Sequence, residues 1–140
     1  MSKREYGFTL IELILVVSVV VTLALIAIPS YIKSKNRAIG KEAISNLKLI
    51  AAAERIYKME NSSYCNCSCT SASNCAVDGS GCNSVLRLML NTVNWQYDVT
   101  GSASSITGTA TYVADSSCKY NISSADFDAD PVKAGAASCP

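Results

Sequence analysis

The sequence predicts an α+β protein in which a long N-terminal helix precedes a small head with an antiparallel β-sheet, stabilised by disulfides. Three observations support this fold class. An apolar run from Phe8 to Ile28 continues as a helical pattern to about Asn61. Cysteines are concentrated after that helix, and alternating strand patterns begin at Trp95. Only about 80 residues remain for the head, and domains of that size often depend on disulfides.

Residues 8–28 have the length of a transmembrane helix. About 21 residues, rising about 1.5 Å each, extend over about 31 Å, which matches the ~30 Å hydrocarbon core of a bilayer. Lys3 and Arg4 precede this run. The positive-inside rule therefore places the N-terminus in the cytoplasm and the head outside it. We interpret residues 1–7 as a short leader peptide.

Glu12 is the one charged residue in the apolar run, and a carboxylate in lipid needs a partner. No lysine, arginine or histidine lies between Phe8 and Pro29, so we expect the partner to come from elsewhere. Cleavage after Gly7 would create an α-amine on Phe8, one helical turn from Glu12. That amine could pair with Glu12 in its own chain or in a neighbour. Pairing with a neighbouring chain is a head-to-tail contact. Repeated head-to-tail contacts build a helical filament when the rotation between subunits does not close into a ring.

Two simpler interpretations explain this N-terminus less completely. An ordinary secretory signal has a shorter apolar region, of about 7–15 residues, and an Ala-x-Ala-like cleavage site after it. The segment Ala27-Ile28-Pro29 matches that site poorly. A plain single-span anchor explains the length of the run but gives no reason for Glu12.

The segment Gly7-Phe8-Thr9-Leu10-Ile11-Glu12, followed by an apolar helix and Pro29, resembles the class III signal of type IV pilins and type II secretion pseudopilins. The resemblance is close from Lys3 to Ser34. From there to about Tyr64 it is a resemblance of general character. It is specific because the glycine, the phenylalanine, the buried glutamate and the later proline all coincide.

The resemblance implies a processed subunit that assembles with its neighbours. A prepilin peptidase would cleave between Gly7 and Phe8, and Phe8 would become the N-methylated first residue. Glu12 would pair with the N-terminus of an adjacent subunit, so that Phe8 and Glu12 form the assembly contact. Pro29 would mark a kink in the helix, and the whole chain would have the lollipop shape of pilins.

Residues 29–62 are predicted to form an amphipathic stem helix. Pro29 removes one backbone donor and clashes with the preceding turn, so we expect a kink there. The apolar stripe skips through Glu54, and basic residues occupy much of the rest of the surface. That basic face is interpreted as solvated, with contacts to a neighbour or to lipid head groups as the alternative. The stripe comprises Ile32, Asn36, Ile39, Ala43, Leu47, Ile50 and Tyr57.

Residues 63–140 are predicted to form a cysteine-rich head. Disulfides form and persist outside the cytoplasm, and an odd number of cysteines leaves at least one thiol free or bonded between chains. The sequence leaves the pairing open, although the pilin resemblance implies Cys118–Cys139. The alternative is zinc or copper(I) at the Cys-x-Cys-x-Cys segment, although histidine and Cys-x₂-Cys pairs are absent. The seven candidates are Cys65, Cys67, Cys69, Cys75, Cys82, Cys118 and Cys139.

The head is predicted to contain one short helix and an antiparallel meander that packs on the stem helix. The stretch from Asn61 to Cys82 is predicted to be a loop. A helix is expected at Ser84–Leu90, capped by Asn83 or Ser84. Strands are predicted at Trp95–Val99, Ile106–Ala114 and Lys119–Ile122, with their aromatic side chains in the core.

Three carboxylates at alternate positions, those of Asp126, Asp128 and Asp130, could hold Ca²⁺. They fail the EF-hand pattern, because Pro131 replaces the glycine at the sixth position and Ala137 the glutamate at the twelfth. An acidic surface loop is therefore the favoured interpretation, and no cofactor is expected.

Composition argues against several classes of function. Histidine is absent, which excludes Ser-His and Cys-His catalysis. No phosphate-binding glycine loop is present. The formal net charge of +1 gives no strong indication of nucleic-acid binding. We therefore do not expect an enzyme.

The resemblance instead implies a structural subunit of a type IV pilus-like filament that serves adhesion, motility or DNA uptake. Its partners would be copies of itself or other pilins, prepilin peptidase and inner-membrane assembly machinery. The precursor would cross the inner membrane once, with a cytoplasmic N-terminus, before entering an extracellular pilus. Two alternatives are a type II secretion pseudopilin in a periplasmic pseudopilus and a minor pilin that binds a ligand at the filament tip.

Overall fold

The structure, a computed structural model, describes residues 7–69, 81–125, 127–135 and 139–140. The chain divides into two compact units, Met1–Asn36 and Arg37–Pro140. The described elements are two helices and a five-stranded antiparallel sheet, together with disulfides. The predicted α+β class is therefore confirmed.

Helix α1 begins at Leu10 and ends at Asn61. In the first unit its apolar side chains are exposed along their whole length, with Ala24 alone half-buried among the described residues. Among those residues, α1 is the one helix that is long and apolar enough to cross a membrane. Pro29 lies inside α1, and a kink there stays a prediction.

In the second unit, one face of α1 packs against the sheet. The stripe predicted from the sequence is buried at Ala43, Leu47 and Ile50, whereas Ile32 and Asn36 are exposed. The indole N–H of Trp95 donates to the carbonyl of Ile39 at 2.9 Å, and the Asn46 amide donates to the Tyr97 hydroxyl at 2.7 Å. The buried helix residues are Gly40, Ala43, Leu47, Ile50, Ala51 and Glu54.

The sheet is a simple meander in which each strand pairs antiparallel with the next along the chain. One face carries buried residues at alternate positions, including Trp95, Tyr97 and Val99, so the predicted core positions of these residues are confirmed. The strands are β1 (Cys67–Cys69), β2 (Trp95–Gly101), β3 (Ile106–Tyr112), β4 (Lys119–Ser123) and β5 (Val132–Ala134).

The prediction of three strands was incomplete. Strand β1 lies in the stretch that was predicted to be a loop, and β5 was not predicted at all. Both strands have three residues, which is too short for a period of two to show in the sequence. Strand β3 also ends two residues earlier than predicted, and Val113 and Ala114 are exposed. The N–H of Val113 still donates to the carbonyl of Asn94 at 2.9 Å.

The prediction of a helix at Ser84–Leu90 was wrong in its position and length. Helix α2 spans Cys82–Val85, and its N-cap residue, Gly81, forms no side-chain capping bond. The backbone leaves the helical conformation at Arg87, which has a φ of 53°. The Asn83 amide does not cap the helix, because its oxygen and nitrogen instead bond to the N–H and C=O of Leu90, at 2.7 and 3.2 Å.

We predict that Leu47→Ala destabilises the second unit by about 2–5 kcal/mol, because it opens a cavity in a fully buried position. Leu49→Ala is the matched control. Leu49 lies on the same helix but is 47% exposed, so its loss should be roughly 1 kcal/mol or less. Urea unfolding of the full chain in detergent, followed by the fluorescence of the single, buried Trp95, measures both. Equal losses would contradict this placement of the core.

Candidate processing and assembly site

The predicted cleavage site lies in an accessible position before the first turn of α1. Gly7 and Phe8 are outside regular secondary structure, and Phe8 is 79% exposed. A Cβ added at Gly7 would meet no described atom within 4 Å. Local packing therefore does not require glycine at this position. The sequence suggests instead that a processing enzyme requires it.

Glu12 forms a capping box with Thr9 at the start of α1. The backbone N–H and the hydroxyl of Thr9 donate to Oε2 of Glu12 at 2.9 and 2.7 Å. The N–H of Glu12 in turn donates to the Thr9 hydroxyl at 3.3 Å. Reciprocal bonding of this kind satisfies backbone donors that have no partner within the first helical turn.

The expectation that a counter-charge for Glu12 comes from outside the apolar run stays a prediction, but it left out local hydrogen-bond donors. Thr9 supplies two local donors, and sequence reasoning missed it. The pattern Thr-x-x-Glu directly before an apolar run was the signal that could have found it. These donors are uncharged, however, so they satisfy the hydrogen bonds of the carboxylate without neutralising its charge.

The other polar side chains of the apolar run need no outside partner. The hydroxyls of Ser18 and Thr22 each donate, at 2.8 Å, to the carbonyl three residues earlier, that of Leu15 and that of Val19. Such bonds satisfy hydroxyl groups in an apolar environment. Glu12 therefore differs from the other described side chains of this run, because it has a charge and the run contains no opposite charge.

The cysteines of the head are mostly in disulfides. Cys67 bonds to Cys82, with a Cα–Cα distance of 4.9 Å, and Cys118 bonds to Cys139, with 5.4 Å. The second pair is the one that the pilin resemblance implied. Cys69 is also disulfide-bonded. Cys75 lies outside the described residues. The remaining cysteine, Cys65, is a free thiol, and an odd number of cysteines required at least one such thiol or an interchain bond.

Cys65 lies against a carboxylate that sequence reasoning treated as an interruption of the apolar stripe. Glu54 is 0% exposed, and its two oxygens accept the Cys65 N–H at 3.1 Å and the Cys65 thiol at 2.7 Å. Burial first, and then the hydrogen bond and negative charge of Glu54, raise the pKa of the Cys65 thiol far above its ordinary value. This thiol is therefore protonated and poorly nucleophilic at neutral pH.

The acidic segment considered for calcium lies beside basic residues of α1. Asp128 forms an ion pair with Arg55 at 3.0 Å, and Asp130 forms one with Lys48. Asp126 lies outside the described residues. Two of the three candidate ligands thus face positive charges, which disfavours a divalent cation at these carboxylates.

Comparison with known proteins bears directly on the N-terminal site. Residues 2–28 match the model of the prokaryotic N-terminal methylation motif. Over this segment the chain is similar to that motif. The match includes Gly7, Phe8, Thr9 and Glu12, so the resemblance that the sequence suggested is confirmed. The capping box therefore lies inside the matched segment.

Several known proteins are similar to this chain over a little less than half of its length. Over 63 residues, 45% of this chain and 29% of the relative, it is 44% identical to the type IV major pilin protein PilA of Myxococcus xanthus. Over 64 residues, 46% of this chain and 42% of the relative, it is 31% identical to type II secretion system core protein G of Dickeya chrysanthemi. Core protein G of Pseudomonas aeruginosa is 36% identical over 62 residues, 44% of each chain. The matched segment thus spans less than half of each of these relatives.

We predict that iodoacetamide modifies Cys65 at least about tenfold more slowly in the native full-length protein than after unfolding without reductant. Its 6% exposure and raised pKa limit both access and the thiolate fraction. Because the pKa of the native thiol is raised, its rate of modification should continue to increase with pH even after an ordinary thiol is fully ionised. Peptide mass mapping measures the rate, with the unfolded sample as the control. Equal rates in the two samples would contradict a buried, protonated thiol.

Proposed function

We propose that this protein is a structural subunit of a type IV pilus-like filament, cleaved after Gly7, N-methylated on Phe8 and polymerised through its N-terminal helix. The observation that carries the proposal is the position of Glu12. It is the one charge of an apolar helix of membrane-spanning length, and it lies within the matched methylation motif, four residues after Phe8.

Before assembly, the apolar segment of α1 is held in the inner membrane. Its side chains are exposed in the isolated chain, which is the distribution that a lipid-facing helix requires. Lys3 and Arg4 favour a cytoplasmic N-terminus, so the head lies outside the cytoplasm. Disulfides in the head, such as Cys67–Cys82, agree with that location.

Assembly follows from the difference between hydrogen bonding and charge at Glu12. Thr9 satisfies Oε2 with uncharged donors, but a carboxylate without a counter-ion remains costly in an apolar medium. Cleavage by prepilin peptidase creates an ammonium group on Phe8, and N-methylation keeps its charge. This group pairs with Glu12 of an adjacent subunit. The Glu12 of the incoming subunit is then still unpaired and can accept the amine of the next subunit, so a filament grows.

The partners in this account are further copies of the chain or other pilins, prepilin peptidase and inner-membrane assembly machinery. The filament serves adhesion, motility or DNA uptake from the cell surface. Minor pilins that bind a ligand at the filament tip use the same N-terminal segment. Glu12 favours a subunit that is added throughout the filament, since it offers a docking contact to the next subunit.

A type II secretion pseudopilin is the second candidate, and its support is specific. Seven of the relatives are core protein G from type II secretion systems, at 30–36% identity over 61–64 residues. In that case the same assembly chemistry builds a periplasmic pseudopilus. The two candidates differ in the head, because a pseudopilin of this kind is expected to hold Ca²⁺ there.

We predict that millimolar Ca²⁺ raises the Tm of the detergent-solubilised protein by less than about 1 °C, because Arg55 and Lys48 already occupy Asp128 and Asp130. Thermal melting with Mg²⁺ as the matched control measures this. A rise of several degrees that only Ca²⁺ produces would contradict the prediction and favour the pseudopilin candidate.

We predict that Glu12→Ala and Glu12→Gln both insert into the membrane and are processed, but that each reduces the amount of filament at least about tenfold. Glutamine is the informative replacement, because it can still accept the capping bonds from Thr9 while it removes the charge. Electron microscopy and immunoblotting of sheared surface fractions measure the filaments. Normal polymerisation of Glu12→Gln would show that capping alone matters and would contradict the charge-pairing mechanism.

A further inference from the structure

A cluster of metal-ligating atoms lies in the core of the second unit, away from the N-terminal site. Glu54, Cys65 and Cys67 are all buried, and their ligand atoms lie within 4.8 Å of one another. Cys82 is bonded to Cys67, so its sulfur is directly adjacent to the same cluster. Three sulfurs and one carboxylate therefore converge from α1, β1, α2 and the segment that precedes β1.

The carboxylate in this cluster lacks a charged partner. Glu54 is fully buried, and no basic side chain in the described parts of the chain forms an ion pair with it. Its described hydrogen bonds come from the N–H and the thiol of Cys65, and a thiol is a weak donor. Burial of a carboxylate without a cation is costly. The proposed polymerisation makes no use of Glu54.

With the Cys67–Cys82 disulfide closed, only Glu54 and Cys65 have free donor atoms in this cluster. We propose that, when that disulfide is open, Glu54, Cys65, Cys67 and Cys82 bind one thiophilic divalent cation of the zinc type. Metal binding and formation of the Cys67–Cys82 bond are then alternative ways of joining β1 to α2. This inference does not rest on the proposed role in a filament.

The geometry and charge of the cluster suit such a cation. Zinc–sulfur bonds of about 2.3 Å in a tetrahedron place two sulfurs about 3.7 Å apart. The ligand atoms of Glu54, Cys65 and Cys67 lie within 4.8 Å of one another, so they need to approach by about 1 Å or less, whereas the sulfurs of Cys67 and Cys82 move apart when their bond opens. Three thiolates and one carboxylate around a dication have a net charge of −2, the same as in four-cysteine zinc sites. The cation would also give the buried Glu54 carboxylate its missing positive partner.

The redox step is balanced by a dithiol reductant. Two electrons and two protons from that reductant convert the Cys67–Cys82 disulfide to two thiols, while the reductant forms its own disulfide. Metal binding then displaces three thiol protons, one each from Cys65, Cys67 and Cys82. A thiol oxidant reverses the process, because closure of the disulfide removes two of the four ligands. A chain whose cysteines are still reduced offers the complete site.

The first test uses the full-length protein in detergent, reduced with a phosphine and titrated anaerobically with Co²⁺. We expect thiolate-to-cobalt charge-transfer absorption that saturates at one equivalent and is displaced by Zn²⁺. Cys65→Ser should abolish this signal, and Glu54→Gln should weaken Co²⁺ binding at least about tenfold. Two control proteins should retain it: one with Cys118→Ser and Cys139→Ser, and one with Cys69→Ser and Cys75→Ser. Loss in the controls, or full binding by Cys65→Ser, would overturn the proposal.

The second test needs no variant, so it remains decisive if a substitution prevents folding. The reduced wild-type protein is reoxidised with and without Zn²⁺, and peptide mass mapping follows the two described disulfides. Zinc should slow formation of Cys67–Cys82 at least about tenfold and leave Cys118–Cys139 unchanged, because only the first pair belongs to the cluster. Equal slowing of both bonds, or of neither, would overturn the proposal.

Discussion

A carboxylate at the start of an apolar helix requires both hydrogen bonds and an opposite charge. In this chain the two requirements are met by different groups. Thr9 provides the hydrogen bonds through its N–H and hydroxyl, so Glu12 can exist in the unassembled precursor without orphaned backbone donors around it. The opposite charge is lacking in the apolar segment itself. The need for that charge connects cleavage after Gly7 to assembly between subunits.

A second carboxylate on α1 shows the same arrangement in a different environment. Glu54, like Glu12, accepts a backbone N–H and a side-chain donor from one residue, here Cys65. Glu12 is exposed in the isolated chain, so a partner from another molecule can reach it. Glu54 is fully buried in the core of the second unit, so any cation that neutralises it must be small enough to enter that core. Helix α1 thus carries one carboxylate suited to a partner subunit and one suited to an ion.

The sequence was most informative where a pattern is long or a motif is specific. Alternation in Trp95–Val99 predicted which face of β2 is buried, and the Gly7–Glu12 segment predicted the match to the methylation motif. Short elements carry no such pattern: three residues in β1 depend on pairing with β2, which only the folded chain supplies. Burial of Glu54 depends on Cys65, eleven residues later, and helical periodicity counted it as a break. The Thr-x-x-Glu pattern indicated the capping role of Thr9, but the prediction from the sequence did not use it.

The start of the native polypeptide tests the central claim most directly, since an amine on Phe8 exists only after removal of residues 1–7. Intact-mass and fragment-ion spectrometry of the protein purified from its own cells would identify that start. The account predicts a chain that begins at Phe8 and carries a methyl group on its α-nitrogen. A native chain that retains residues 1–7 would contradict it, because Glu12 would then have no amine with which to pair.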